Sequence, residues 1–446
     1  MTDSSSQVRG EPGPGVMGNE GSSFQPHAAV TRPEIAALQQ SFPQKPSPSL
    51  GGKWSEVLEP EQVAHIEKSL RNKSGVITFQ NYQQLYGDVV KGGVDKKVSF
   101  LLLLIGESSQ SSQLDTDKLH KSALIIVRAL LKTLKPHQFE KDHDGDDAKF
   151  TSSLVHDLVY GNEKRKTSFS KEPVNRNIDV DDIETLILKN PLLESIVTSV
   201  AATCFHVSVS TAGPGLLPAL PRDTRTSVSA LEAAFLAAQL PHELRHVWRP
   251  LFNTDTHGES FSKLAGAITR QGPTIIIIWD EAGNVFGGFA TDPWKMGPKF
   301  YGKQESFLFH LHPKMNVYDT TPFNTNYQYF NLKQKTMPNG LGMGGQLEYF
   351  GFWIDNEFGI LKTSPSCSTY HSPQLAETEG KIRRLEVFGV GELKDDDLEG
   401  GPSVLDMDPE AQAVLEMMGK TFHSKVIREV DEDQERKREL EQQQLE

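Results

Sequence analysis

Cysteine is almost missing from this chain. Its 446 residues hold only Cys204 and Cys367, far apart and without the paired spacings of a zinc site or a disulfide framework. A reducing environment is the expectation. Long apolar runs are lacking too. The most apolar stretches, residues 98–105 and 274–279, fall well short of the roughly 20 residues a spanning helix needs, so any membrane contact is expected to be peripheral. Positive charge is in deficit: 46 Lys and Arg against 59 Asp and Glu leave a formal charge of −13. That is the wrong sign for neutralising phosphates and excludes generic DNA or RNA binding. The first residues also lack the charged-then-apolar order of a secretory signal. What the chain does have is 37% hydrophobic residues, enough to bury a sizeable core in two or three domains.

Residues 1–52 are rich in Ser, Gly, Pro and Gln, with short apolar interruptions such as residues 35–38, and read as a flexible arm. Helical spacing begins at Trp54, with Pro60 at a first helical position and Val63, Ile66 and Leu70 recurring at three and four residues. Residues 53–212 form the expected helical module. Within it, Leu70 to Asn81 resembles an EF-hand loop: Gly75, Ile77 and Thr78 stand where that motif wants its sharp turn and short strand. Its ligands are missing, because Leu70 and Asn81 fill the first and twelfth positions where calcium needs carboxylate oxygens. A weaker copy runs from Glu107 to Lys118, with Leu114 at the strand position and a lysine in place of the bidentate Glu. The expectation is a paired, calcium-independent EF-hand-like scaffold. Asp142, Asp144, Asp146 and Asp147 are dense enough to suggest a cation, but no Gly or Glu falls at the required spacing, and they read as a solvated acidic turn. Residues 179–205 read as two short helices parted before Pro191.

The pattern changes near Ser227. An Ala/Leu-rich helix capped by Ser227 or Ser229 is followed by Pro241 and a second helix containing Leu244, Val247 and Trp248. Strand signals then dominate: residues 273–279, buried on both faces, turn at 280–284 into 285–290, and further strands are expected at 306–311, 316–318, 327–332, 349–354 and 385–390. Two packed antiparallel sheets follow from that spacing. The ordered motifs LPHELRHVWRPLF at Leu240, HGESFSKL at His257, GNVFGGFAT at Gly283, GLGMGG at Gly340, YFGFWID at Tyr349 and CSTYHSPQL at Cys367 together resemble a TLDc domain over residues 227–391. The layout as a whole is similar to the lysosomal, mTOR-associated type within that family. The resemblance implies an α+β chain, with an EF-hand-like helical module followed by a two-sheet antiparallel β-sandwich flanked by helices. It also implies binding to the vacuolar proton pump (V-ATPase), a place on the cytosolic face of the lysosomal membrane, and a part in mTOR nutrient signalling.

No catalytic, cofactor or metal site emerges. His257, Glu259 and Ser260 supply base, acid and hydroxyl, but neighbours at a helix start point in different directions, so Ser260 or Thr256 reads as a cap and Phe261 and Leu264 as the buried face. Gly340 to Gly345 lacks the GK[ST] ending of a phosphate loop and reads as a tight turn before the YFGFWID strand. Cys367 is the one redox-sensor candidate. With no cation beside it in sequence it reads as a structural thiol, and an oxidation-resistance protein with peroxide-protective activity stands as the alternative to an adaptor.

The charged segment 404–446 is expected to be a helical tail, with Val414, Leu415 and Met418 on one short apolar face as partner-binding candidates. Near the other end, Met17-Gly18-Asn19-Glu20-Gly21-Ser22 fits the N-myristoylation pattern. This places a functional start at Met17, with lipid on Gly18. Intact mass spectrometry of the protein from its native cell should find a myristoylated Gly18 terminus, and Gly18→Ala should move the protein into the cytosol. An unmodified Gly18, or a mature terminus at Met1 or Thr2, would refute lipid anchoring.

Overall fold

The computed structural model describes residues 30–42, 49–107, 114–134, 138–140, 145–160, 178–189, 191–207 and 216–392. Its C-terminal part is organised by strand alternation. In β2 (Thr274–Asp280) every residue is buried, yet successive side chains go to different cores, as the period of two requires. Ile276 and Ile278 enter the space between the sheets, whereas Ile275, Ile277 and Trp279 join the core of the helical half.

β2 sits centrally in a six-stranded antiparallel sheet, order β1-β12-β2-β3-β5-β6, with β1 Trp248–Asn253, β3 Val285–Ala290, β5 Phe307–His312, β6 Asn316–Tyr318 and β12 Ile382–Val390. Facing it is a second antiparallel sheet, order β11-β10-β9-β8-β7-β4, with β4 Gly297–Tyr301, β7 Gln328–Asn331, β8 Gly340–Met343, β9 Phe352–Asp355, β10 Leu361–Thr363 and β11 Glu379–Gly380. Phe286, Leu308, Phe330, Leu341, Met343, Phe352 and Ile354 fill the space between them.

Strands β4, β10 and β11 have no counterpart in the sequence reading, and two further segments change type. Trp248 opens strand β1 rather than lying in a helix; only His242–Leu244 makes a single 3-10 turn. Pro250 suits an edge strand, where a missing N–H costs no ladder bond, and the register of β1 against β12 shifts beside it. Gly340 to Met343 is not a turn but the buried strand β8. Trp353 and Phe350 stack at 4.4 Å over its glycines. A Cβ at Gly342 would lie 2.7 Å from the Phe350 ring, and one at Gly340 would lie 2.4 Å from the Trp353 ring.

The helical half comprises α1 Arg32–Ser41, α2 Lys53–Val57, α3 Pro60–Leu70, α4 Phe79–Tyr86, α5 Val94–Leu104, α6 Thr116–Thr133, α7 Asp146–Tyr160, α8 Val180–Lys189 and α9 Pro191–Cys204. Helix α1 lies inside the stretch read as an arm. Its apolar side was visible as residues 35–38: Leu38 is fully buried, and Phe42 just beyond packs edge-on to Phe79. At its other end Glu34 is buried and accepts from Tyr86 Oη at 2.7 Å and from Lys91 Nζ at 2.8 Å. A π-turn over Gly87–Lys91 brings these two donors, five residues apart, to the same face. Burial alone would raise the Glu34 carboxyl, but the donors from Lys91, Thr31 and Tyr86 outweigh it and hold the group at about 2.

The halves meet at α10 (Ala230–Gln239), closed by a reciprocal capping box between Ser229 and Glu232. Ala230, Leu231, Ala233, Ala234, Phe235, Leu236 and Ala237 are all buried, so α10 has almost no outward face. Phe235 meets Phe150 of α7 edge-on at 6.4 Å, and one continuous apolar cluster runs from the helical half through α10 to the odd-numbered face of β2. Beside it, Glu140 N donates to Val228 O at 3.0 Å and Thr226 N to Gln138 O at 3.0 Å. Because the core is shared, both halves should melt together in a single calorimetric transition. Ala233→Leu, which overfills the space around α10, should lower that transition at a cost of about 1–3 kcal/mol. Two separable transitions would contradict a shared core.

Candidate interaction surface

Three helices of the N-terminal half begin alike. Each is preceded by an aliphatic residue in a β-bridge and then by a cap whose side-chain oxygen accepts the backbone N–H three residues on. Thr78 accepts from Asn81 N at 3.2 Å, Asp115 from Lys118 N at 2.7 Å, and Asp179 from Asp182 N at 2.8 Å. The aliphatic residues are Ile77, Leu114 and Ile178. The pairing differs from the expected one. Leu114 and Ile178 exchange both backbone bonds, at 2.8 and 2.7 Å, whereas Ile77 bridges Arg71 within its own loop. The unit around Ile178 has no counterpart in the sequence expectation, because Asp179 begins a stretch of helical periodicity that conceals the bridge before it. The shared signal, an aliphatic residue followed by a capping residue two before the helix, was present in sequence.

The two loops first singled out are closed by nitrogen donors where an ion would otherwise join their ends. Asn81 Nδ2 donates to the carbonyl of Leu70 at 2.8 Å, so the twelfth position bonds the first directly. Asn72 Oδ1 accepts from Ser74 N and Val76 N, and Val76 O accepts from Asn72 N at 3.0 Å. In the second loop Lys118 Nζ meets Glu107 Oε1 at 2.6 Å, and that carboxylate keeps the lysine above its ordinary range. In the first loop the oxygens of Leu70, Asn72 and Val76 are thus each already accepting a hydrogen bond. Of the acidic turn, Asp147 pairs with Arg128 at 2.6 Å and Asp146 with Lys149 at 3.3 Å, while residues 141–144 lie outside the described residues.

The remaining sequence candidates do not assemble into a reacting set. Ser260 Oγ accepts from Lys263 N at the start of α11 (Phe261–Ile268). His257 Nδ1 turns back to Asn253, and its ring stacks on Phe252 at 5.3 Å. Cys367 is half-buried against Gly344 and Gly351, and burial pushes its thiol up despite the polar groups around it. Cys204, deeper still, is pushed up to about 12. Raised thiols carry little thiolate and react slowly with peroxide. Gly18, Val414, Leu415 and Met418 lie outside the described residues.

What the fold does assemble is a stiff group of loops at one end of the sandwich. Segment 319–326 is laced to segment 366–371: Thr321 N donates to Thr369 O at 2.7 Å, His371 N to Asp319 O at 2.9 Å, and Asn324 Nδ2 to Ser368 Oγ at 2.9 Å. Thr369 Oγ1 donates to Asn324 Oδ1 at 2.6 Å and accepts from Gly345 N at 2.8 Å. Asn326 Nδ2 donates to Gly345 O at 2.8 Å, and the carbonyl of Tyr349 lies directly against Gly345. On this frame Phe323 is 80% exposed and Tyr349 58%. A bare aromatic ring on a rigid loop is how protein interfaces present an anchor, since little side-chain entropy is lost on docking. Sequence reading missed Phe323 because nothing local distinguishes an aromatic held outward from one folded in.

Comparison with known proteins gives a TLDc domain model matching residues 223–391. The chain is 36% identical over 385 residues to the mTOR-associated protein MEAK7 of Xenopus laevis, covering 81% of this chain and 83% of that protein. To the proteins of the same name it is 34% identical over 376 residues in Gallus gallus, 78% of each chain, and 31% identical over 405 residues in Homo sapiens, 85% and 88%.

The loop geometry generates a direct test. Isothermal calorimetry on the full chain should detect no micromolar calcium uptake at the Leu70 or Glu107 loops. Asn81→Ala, which breaks the bond across the first loop, should cost about 1 kcal/mol of stability, and added calcium should not restore it. Calcium-dependent recovery of that variant would overturn the view that the nitrogen donors substitute for an ion.

Proposed function

The chain belongs to the TLDc-domain family of the mTOR-associated protein MEAK7, and on that footing we propose that it is a non-enzymatic adaptor of the lysosomal surface that binds the vacuolar proton pump and supports mTOR signalling. The observation that carries this reading is the display of Phe323 and Tyr349 on the hydrogen-bonded loop frame. A preorganised, uncharged aromatic edge suits a protein surface better than a small substrate, which would need a concave site. The alternative, peroxide chemistry at Cys367, is disfavoured by the upward shift of that thiol. The helical half serves in this reading as a calcium-independent brace of EF-hand-like units, held to the TLDc sandwich through α10. Lipid on Gly18 would add only marginal membrane affinity by itself, so the pump supplies the second contact.

Affinity purification of the tagged full chain from lysosomal membranes, resolved by crosslinking, should recover pump subunits in direct contact with the Phe323 loop. Phe323→Ala should lower that recovery about tenfold or more, as loss of an aromatic anchor does, with an unchanged thermal midpoint. Deleting residues 409–446 should weaken recovery without unfolding the TLDc domain. Pump recovery indifferent to Phe323 would remove this edge from the interface, and absence of the pump altogether would sink the adaptor reading.

A further inference from the structure

A second corner of the sandwich has a different character. β4 pairs with β7 at Gly297↔Phe330, so Lys295 and Met296, just before Gly297, run alongside the residues that follow Phe330 and lead to Lys333 and Lys335. Both segments are held in place. Trp294 is fully buried with its Nε1 donating to Thr274 Oγ1 at 2.8 Å, and Lys295 N donates to Tyr301 Oη at 2.8 Å. Across the strand, Asn339 and Gln334 exchange hydrogen bonds at 2.8 and 2.9 Å, and Asn331 Nδ2 donates to Pro338 O at 3.1 Å. The corner therefore presents Lys295, Lys299, Lys333 and Lys335, all exposed, around Met296, which is 45% exposed. None of the four lysines forms an ion pair among the described residues. Of the nearby carboxylates, Asp292 is taken by Lys303 at 3.3 Å, and Glu357 stands on the adjoining turn, which is joined to the corner by Asn356 N donating to Asn339 O at 3.1 Å. That turn also carries the exposed Ile360.

We propose that this corner docks on an anionic membrane surface, with the lysines against lipid headgroups and Met296 at the headgroup–acyl boundary. The chain as a whole carries −13 and would be repelled by such a surface if all its charges counted equally. They do not, because at physiological ionic strength charges beyond about 8 Å are screened, so the face that leads decides the sign. Four unpaired lysines around an exposed apolar side chain match the interfacial pattern in which cations meet acidic lipid and an apolar residue enters beneath them. An acidic protein would be met by the cations alone, whereas Met296 and Ile360 beside them supply the apolar side chains that an interfacial site places beneath the headgroups. The proposal concerns a different surface from the Phe323 edge and does not depend on the pump.

The test uses the full chain without attached lipid and vesicles containing no protein, so its failure is distinct from failure of pump binding. The probes are vesicles of phosphatidylcholine alone and of phosphatidylcholine with about one-fifth phosphatidylserine. Co-sedimentation should occur with the second and not the first, and should fall as salt is added. The Lys333→Glu, Lys335→Glu double variant should lose about tenfold or more in partitioning, Lys295→Glu with Lys299→Glu similarly, and Met296→Ser less, all with unchanged thermal midpoints. Equal binding to both vesicle types, no binding, or charge-reversed variants that bind as well as the parent would each overturn the proposal. So would retention on immobilised polyglutamate without vesicle binding, which would assign the corner to an acidic protein. The salt dependence of the unaltered chain decides the electrostatic part even if a variant fails to fold.

Discussion

Everything in this fold hangs on a helix with almost no outside. α10 is apolar on nearly every side, which on a single layer would be a liability, but here each side has a different neighbour: the helical half on one, the odd-numbered face of the first sheet on the other. Its alanines are the solution to that geometry, since small side chains let a backbone come close to two layers at once, and the single Phe235 reaches out to Phe150. The capping box at Ser229 and Glu232 satisfies donors at the largely buried N-terminus that have no partner within the helix. Next to it, the buried Glu386 accepts from Thr226 Oγ1 at 2.6 Å and Ser227 N at 2.9 Å, tying the entry of α10 to β12.

The helical half solves a related problem with the side chains of its own loops. Its short loops must bring the end of one helix to the start of the next, and two of them do so with a side-chain nitrogen from the twelfth position reaching an oxygen of the first, an amide in one case and an ammonium in the other. A covalently attached donor needs no supply of ion and gives no response to its concentration. The two ends of each loop are thereby held together.

Much of this was legible in the amino-acid order. The isoleucine run of β2 declared burial on both faces, and Pro60 and Pro191 marked helix starts. What escaped depends on distance in space. Gly340 and Gly342 look like a turn until Phe350 and Trp353 are seen lying over them. Trp248 looks helical until β12 pairs with the strand it opens. Leu114 could have paired with either of two aliphatic residues, and only packing chose Ile178. The lysine corner was hidden because its two halves are separated in sequence by β5, β6, β7 and their loops, and Phe323 because exposure is decided by the frame around an aromatic rather than by its neighbours in the chain.

The division of labour along β2 sets terms for how this sandwich can be inherited. Ile275, Ile277 and Trp279 face out of the sandwich, yet they are as deeply covered as the residues facing in. Any chain that carries the same two sheets without this helical half must therefore place something else over that face or replace those positions with residues that tolerate water. The even-numbered positions belong to the sandwich wherever it occurs, while the odd-numbered ones record which companion it folds against.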